Sequence, residues 1–236
     1  MKTVCFKKYS KLVVIFLIFF YYFFIFQVST FVLASGTSTF NQTINAGTLS
    51  IDIADSTSSY ASVSSPAITM GALTFSFSCQ QATGTFGTAT EAIYIQNPDA
   101  ADSGWTVSLA AASTTDVWDS AGTDFDFNDP GTGGCVDDGP TTDTDGFGGQ
   151  MTVVAEGASL GTGGCSSCGV SNITVGSSAA YVEGSTDTVT LLTAAAGSDD
   201  IGDWDLTGVT INQQVPAEQP AASDYSIDMV LSVTAS

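Results

Sequence analysis

The sequence predicts an all-β chain: an antiparallel β-sandwich, immunoglobulin-like or jelly-roll-like, over residues 35–236, behind an N-terminal hydrophobic helix. Two observations carry this. Short runs of alternating apolar and polar residues recur along the chain, and period two with one apolar face marks a half-buried strand. Clusters of Gly, Ser, Asp and Pro separate the runs, while no stretch of the same region offers an apolar helical period closed by caps. Roughly eight to ten strands with turns between them suit two packed antiparallel sheets.

The strand candidates follow in order. Residues 39–44 and 48–53 come first, the second with Leu49, Ile51 and Ile53 alternating with Ser50 and Asp52. Both are expected to pair with or near the C-terminal strand. Leu73, Phe75 and Phe77 alternate with Thr74 and Ser76, and Ile93 and Ile95 flank Tyr94. Trp105, Val107 and Leu109 place the indole on the apolar face, which predicts core packing for Trp105. Runs at Met151 and Val153, Val189 and Leu191, and Val209 and Ile211 follow. The cleanest alternation is the last: Tyr225, Ile227, Met229, Leu231 and Val233.

Residues 114–149 break the rhythm. They are rich in Asp, Gly and Thr and poor in aliphatics, and a loop of that length is usually functional or disordered. They are read as an insertion between the Trp105 and Met151 strands.

Residues 1–34 form a separate unit. Lys2, Lys7, Lys8 and Lys11 precede an unbroken apolar and aromatic run over residues 12–26, and Val32-Leu33-Ala34 follows. This is the charge, apolar run and small-residue order of a secretory signal, cut after Ala34. The alternative is an uncleaved anchor across residues 12–33, with the lysines inside. Either reading places the bulk of the chain outside the cytoplasm, secreted or at the cell surface.

Charge narrows the function. All four lysines lie in that leader, arginine and histidine are absent, and all 24 acidic residues lie at or after Asp52. The exported part therefore has 24 formal negative charges and no fixed positive side chain. Nucleic-acid binding, which needs Lys or Arg against phosphates, is excluded. So are nucleophilic triads built on an imidazole, phosphate loops with a Lys, and zinc sites with His ligands. Carboxylate pairs are the remaining acid–base chemistry, and they leave a glycoside hydrolase or lyase as a third reading. Self-repulsion of this size calls for high salt or bound divalent cations.

Gly104-Trp105-Thr106-Val107-Ser108-Leu109, the stretch Ala46-Gly47-Thr48-Leu49-Ser50-Ile51, the triplet Trp204-Asp205-Leu206 and the ending Tyr225-Ser226-Ile227-Asp228-Met229-Val230-Leu231-Ser232-Val233-Thr234 together resemble the WxL-type surface domains of Gram-positive and related bacteria. The resemblance implies a secreted, β-rich domain held non-covalently at the cell wall. Leu231-Ser232-Val233 stands where that family has its second Trp-x-Leu, and the Asp-rich insertion and four cysteines depart from it too.

Three groups of residues are candidates for a site. Asp124, Asp126 and Asn128, with Asp143 and Asp145, have the alternate-position oxygen ligands of a calcium loop, since Ca²⁺ takes six to eight oxygens at about 2.3–2.6 Å. No Glu follows at the spacing of an EF-hand. Cys79, Cys135, Cys165 and Cys168 are an even set in an exported chain and predict two disulfides, with all three pairings open. Trp118 and Trp204 lie beside acidic stretches and are candidates for an exposed ligand-binding platform. The sequence as a whole points to a non-enzymatic surface or secreted protein, calcium-stabilised and associated with a cell-wall polymer, other surface proteins or further copies of itself. A carbohydrate-binding module is the second reading.

Overall fold

The computed structural model describes residues 4–26, 39–99, 103–139, 146–197 and 201–236. The chain divides into two compact units, Met1–Ile44 and Asn45–Ser236.

In the first unit, α1 spans Val4–Phe26. Its first turns hold Lys7, Lys8 and Lys11, so its apolar part is residues 12–26. At about 1.5 Å per residue that part is about 23 Å long, short of a hydrocarbon core of about 30 Å. Among the described residues no helix is long and apolar enough to cross a membrane. The rest of the anchor reading, residues 27–33, and the cut after Ala34 lie outside the described residues. The strand expected at residues 39–44 is absent: the chain there is irregular.

The second unit holds fourteen strands among its described residues. In chain order they are β1 Ser50–Asp55, β2 Ala61–Ser62, β3 Gln80–Phe86, β4 Ala92–Asn97, β5 Trp105–Ala111, β6 Asn128–Asp129 and β7 Gly149–Val154. The remainder are β8 Ser159–Gly161, β9 Ile173–Val175, β10 Ala179–Ala180, β11 Val189–Ala194, β12 Gly202–Thr207, β13 Val209–Val215 and β14 Met229–Ala235. They form three antiparallel sheets, ordered β2-β1-β4-β12-β8, β10-β7-β13-β3 with β6 on β7, and β14-β5-β11-β9.

The first two sheets meet at a corner. β12 runs into β13 through Gly208 alone, and β3 runs into β4 through residues 87–91, closed on themselves by the Thr88–Glu91 bridge. β7 reaches β8 through a turn in which the Ala158 N–H bonds the Ala155 carbonyl at 2.8 Å. At the corner the Gly208 N–H donates to the Gly87 carbonyl at 2.7 Å. Gly87 has φ +80°, and a Cβ there would meet the Leu206 carbonyl oxygen at 2.7 Å, so only glycine suits the fold at this point.

The third sheet covers this bent pair. Trp105 of β5 and Trp204 of β12 meet with ring centroids 5.2 Å apart. Tyr181, beside β10, donates its hydroxyl to the Leu109 carbonyl at 2.8 Å and meets the Phe127 ring edge-on. Trp105 is core, as its alternation predicts. Truncating either tryptophan to Ala would cost about 3–5 kcal/mol by cavity formation.

Several expectations are corrected. β1 pairs with β4 and β2, while the C-terminal β14 pairs with β5. Only the second half of the last run is strand, because Ser226 instead pairs with Asp119 of the insertion through two backbone hydrogen bonds. The alternating stretch at Leu73, Phe75 and Phe77 joins no sheet; it is an extended strap lying outside β3, with Phe77 78% exposed. The described part of the insertion, residues 114–139 and 146–149, is packed onto the fold. Phe125 and Phe127 are buried, Trp118 bridges Phe125, and β6 extends the second sheet.

The two disulfides are Cys79–Cys135, closing 56 residues, and Cys165–Cys168, closing three. The first ties the base of the strap to the insertion. Both indicate an oxidising, extracytoplasmic setting.

Candidate functional site

The strap forms one wall of a cleft of about 540 Å³. Ile68 and Met70 at its start pack on the core, over Gly84 of β3, where the missing side chain makes room for them. The Gly71 N–H donates to the Thr83 carbonyl at 2.9 Å, and the Glu218 N–H donates to the Ser76 carbonyl at 2.7 Å. The opposite wall is the segment 216–225, carrying Pro216, Pro220 and Tyr225. Gln219 fixes it: its amide donates to the Thr123 carbonyl at 2.7 Å and to the Tyr225 hydroxyl at 3.0 Å.

Trp118 and Phe125 lie at the floor, stacked at 5.7 Å with rings 11° apart, and Tyr225 meets Phe125 edge-on. The Trp118 indole N–H donates to the Gln213 side-chain carbonyl at 2.9 Å. Gln213 is 1% exposed, and its amide N–H groups are held by the Asp126 and Gln214 carbonyls.

None of the residues lining this cleft is charged. The strap and β13 are charge-free in sequence, with no acidic residue between Asp55 and Glu91 or between Asp205 and Glu218, and Glu218 and Asp224 of the opposite wall are not among the lining residues. The cleft offers aromatic faces, side-chain amides and backbone groups. It contains no carboxylate, so the pair of acids a glycosidase needs is not found there.

Of the predicted metal ligands, the three that are described, Asp124, Asp126 and Asn128, are engaged with groups of the insertion itself. Asp126 is 2% exposed, and its Oδ1 accepts the Phe127 N–H at 2.6 Å. Asn128 is buried and its amide donates to the Thr114 carbonyl at 3.0 Å. The Asp124 carboxylate accepts the Ser120 N–H at 3.0 Å. These oxygens serve turns of the insertion, which is the physical reason the spacing resembled a calcium loop: alternate Asx residues close turns as readily as they bind ions. Asp143 and Asp145 lie outside the described residues. The carboxylates that do converge are those of Asp129, Asp137 and Asp138. Asp129 there accepts N–H bonds from Gly131 at 2.7 Å and from Asp138 at 3.0 Å.

Trp204 is corrected as well. It is 0% exposed, and its indole N–H donates to the Gly169 carbonyl at 2.8 Å. No face is left for a ligand. The Trp204-Asp205-Leu206 triplet is ordinary strand alternation, with Trp204 and Leu206 inward and Asp205 outward.

The outward side of β12 carries a second polar cluster. Tyr60 and Tyr94 stack at 4.4 Å, and the Tyr94 hydroxyl donates to Asp203 Oδ2 at 2.7 Å. Burial first, and then the hydrogen bond to Asp203, push the Tyr94 pKa up to about 12. Tyr60 moves the same way, through burial and then the charges of Asp205 and Asp203. Cys165 and Cys168 lie beside Asp203, but joined to one another they present no thiolate to a metal.

The sequence missed the cleft and named only Trp118 of it. The signal was present as the charge-free stretch of residues 56–90, unusual in a chain this acidic. The chain matches no known protein-family model, no curated protein and no solved structure.

Proposed function

We propose that the chain is a non-enzymatic, secreted or cell-surface protein that holds an uncharged partner in the cleft between the strap and residues 216–225. The observation that supports this most is the absence of any charged lining residue in a chain bearing 24 acidic groups. Acid–base catalysis needs a titrating group at the reacting atom, and this lining offers only the Tyr225 phenol. Aromatic faces with a few placed amides suit recognition.

The leader order and the disulfides favour export, and the resemblance to WxL-type domains favours the cell wall. Divalent cations enter this reading as counter-ions to the acidic surface, where Asp129, Asp137 and Asp138 are the one all-carboxylate cluster among the described residues. The aromatic rings and the side-chain amides of Gln80 and Gln219 favour a second reading, a module for a neutral glycan.

The test uses the one tryptophan that is not fully buried. Trp118 emission and its quenching by neutral acrylamide are followed as neutral peptides and polysaccharides are added. A saturable change that Phe75→Ser weakens at least tenfold, at unaltered melting temperature, supports the cleft. Binding that Phe75→Ser leaves intact would sink it.

A further inference from the structure

We propose that the partner in the cleft is a second copy of this chain, which donates residues 39–44 as an added strand; the proposal rests on the cleft being the binding surface. Three observations lead to it.

The first is an unused apolar arm. Phe40 is 93% exposed and Ile44 88% exposed. In an extended backbone residues 40, 42 and 44 share one face, so once the arm pairs as a strand both large side chains point to one side of it. The body first holds the chain at Gly47, whose N–H donates to the Pro98 carbonyl at 3.1 Å. The eight residues 39–46 reach at most about 28 Å when extended, enough to leave one copy and enter another.

The second is charge. Two copies, each with 24 negative charges and no fixed positive side chain, repel one another. They approach most easily where neither is charged. Residues 35–51 carry no charge, and neither does any residue lining the cleft. A cationic partner would be drawn to the acidic surface instead.

The third is backbone. Among the described residues, the strap is tied to the body by the Gly71–Thr83 and Ser76–Glu218 hydrogen bonds, and residues 72–75 between them join no ladder. They keep the alternation of a strand, with Leu73 and Phe75 partly exposed. A peptide strand takes up such groups and seats alternate side chains in pockets. A neutral glycan can bond these groups through hydroxyls, but it does not carry the regularly spaced N–H and C=O groups that extend a ladder.

The experiment uses the oxidised exported chain, residues 35–236, which contains all of Asn45–Ser236. Phe40→Ser with Ile44→Ser removes the donor, and Leu73→Ser with Phe75→Ser removes the acceptor; all four positions are exposed, so equal melting temperatures confirm that the fold persists. In sedimentation velocity the unaltered chain should associate with rising concentration. Each variant alone should associate at least tenfold more weakly, and a mixture of the two should form dimers and nothing larger. A synthetic peptide of residues 35–46 should shift Trp118 emission of the donor variant. The same peptide carrying Phe40→Ser and Ile44→Ser should bind at least tenfold more weakly.

If the donor variant associates like the unaltered chain while the acceptor variant does not, the arm is wrong and the cleft stands. If the acceptor variant is also unaffected, both readings fall. A chain that stays monomeric and ignores the peptide overturns the proposal, and so does a cleft that takes a neutral polysaccharide in the peptide's place.

Discussion

The indole N–H of Trp118 and the buried side-chain carbonyl of Gln213 lie 2.9 Å apart, and this contact fastens the insertion to the centre of the second sheet. The Gln213 amide nitrogen also holds the Asp126 carbonyl at 2.9 Å. Gln213→Leu keeps the volume but leaves the Trp118 N–H without its acceptor and removes the donor to the Asp126 and Gln214 carbonyls. Each buried orphan costs about 1–3 kcal/mol, so the variant should lose about 3 kcal/mol in chemical denaturation. A loss under about 1 kcal/mol would show that the link does not hold the insertion.

The two disulfides should differ sharply. In the chain-entropy account, closing 56 residues stabilises by about 4 kcal/mol, and closing three by less than about 2 kcal/mol. Cys79→Ser with Cys135→Ser should therefore cause the larger loss, and should also free the strap and weaken binding in the cleft. Cys165→Ser with Cys168→Ser should leave both nearly unchanged. Thermal melts of the two variants decide between these outcomes, and equal losses would refute the assignment.

Stability should be flat near neutrality and should fall in alkali. The exported chain has no histidine, and its cysteines are bonded, so no side-chain type with an ordinary pKa between about 5 and 8 remains. Tyr94, raised to about 12, binds its proton more tightly folded than unfolded, where tyrosine titrates near about 10. Its contribution is complete below the unfolded value and is lost as pH rises through the folded one. Tyr60 adds in the same direction. Melting temperature against pH, with tyrosinate absorbance alongside, should show the alkaline limb shrinking in Tyr94→Phe. A step between pH 6 and 7 would contradict the account.

Salt should stabilise the fold. With so many like charges, shortening the Debye length from about 8 Å to about 3 Å between physiological and molar salt relieves self-repulsion. The melting temperature should rise with sodium chloride, and calcium and magnesium should act alike at matched ionic strength. A calcium excess that Asp137→Asn with Asp138→Asn abolishes would instead locate a true site at the Asp129 cluster.

Alternation found those strands whose inward residues are large and apolar. β5, β7 and β13 show it as buried positions alternating with half-buried ones, and β11 buries Val189 and Leu191 before a bulge shifts the register to Leu192. β3 escaped because its inward residues are Ala82, Gly84 and Phe86, two of them too small to register. The apolar side chains covering that gap, Ile68 and Met70, come from the strap. The strap was mistaken for a strand for the converse reason: it is extended and alternating, but its partner is a cleft and not a ladder. In the insertion, the count of aspartates drew notice away from Trp118, Phe125 and Phe127, which hold it down. Trp204 was misplaced because flanking acids suggested exposure, whereas on a strand flanking residues face the other way.

The corner at Gly87 and Gly208 bears on how the fold comes apart. Three stretches of chain turn it, β3 into β4, β12 into β13 and β7 into β8, each paired to a neighbour on both sides of the bend. Neither flank can shed one of these six strands without pulling on the other. The two sheets therefore behave as one cooperative block: their amides should exchange with solvent deuterium at a common, slow rate, and a single unfolding step should release them together.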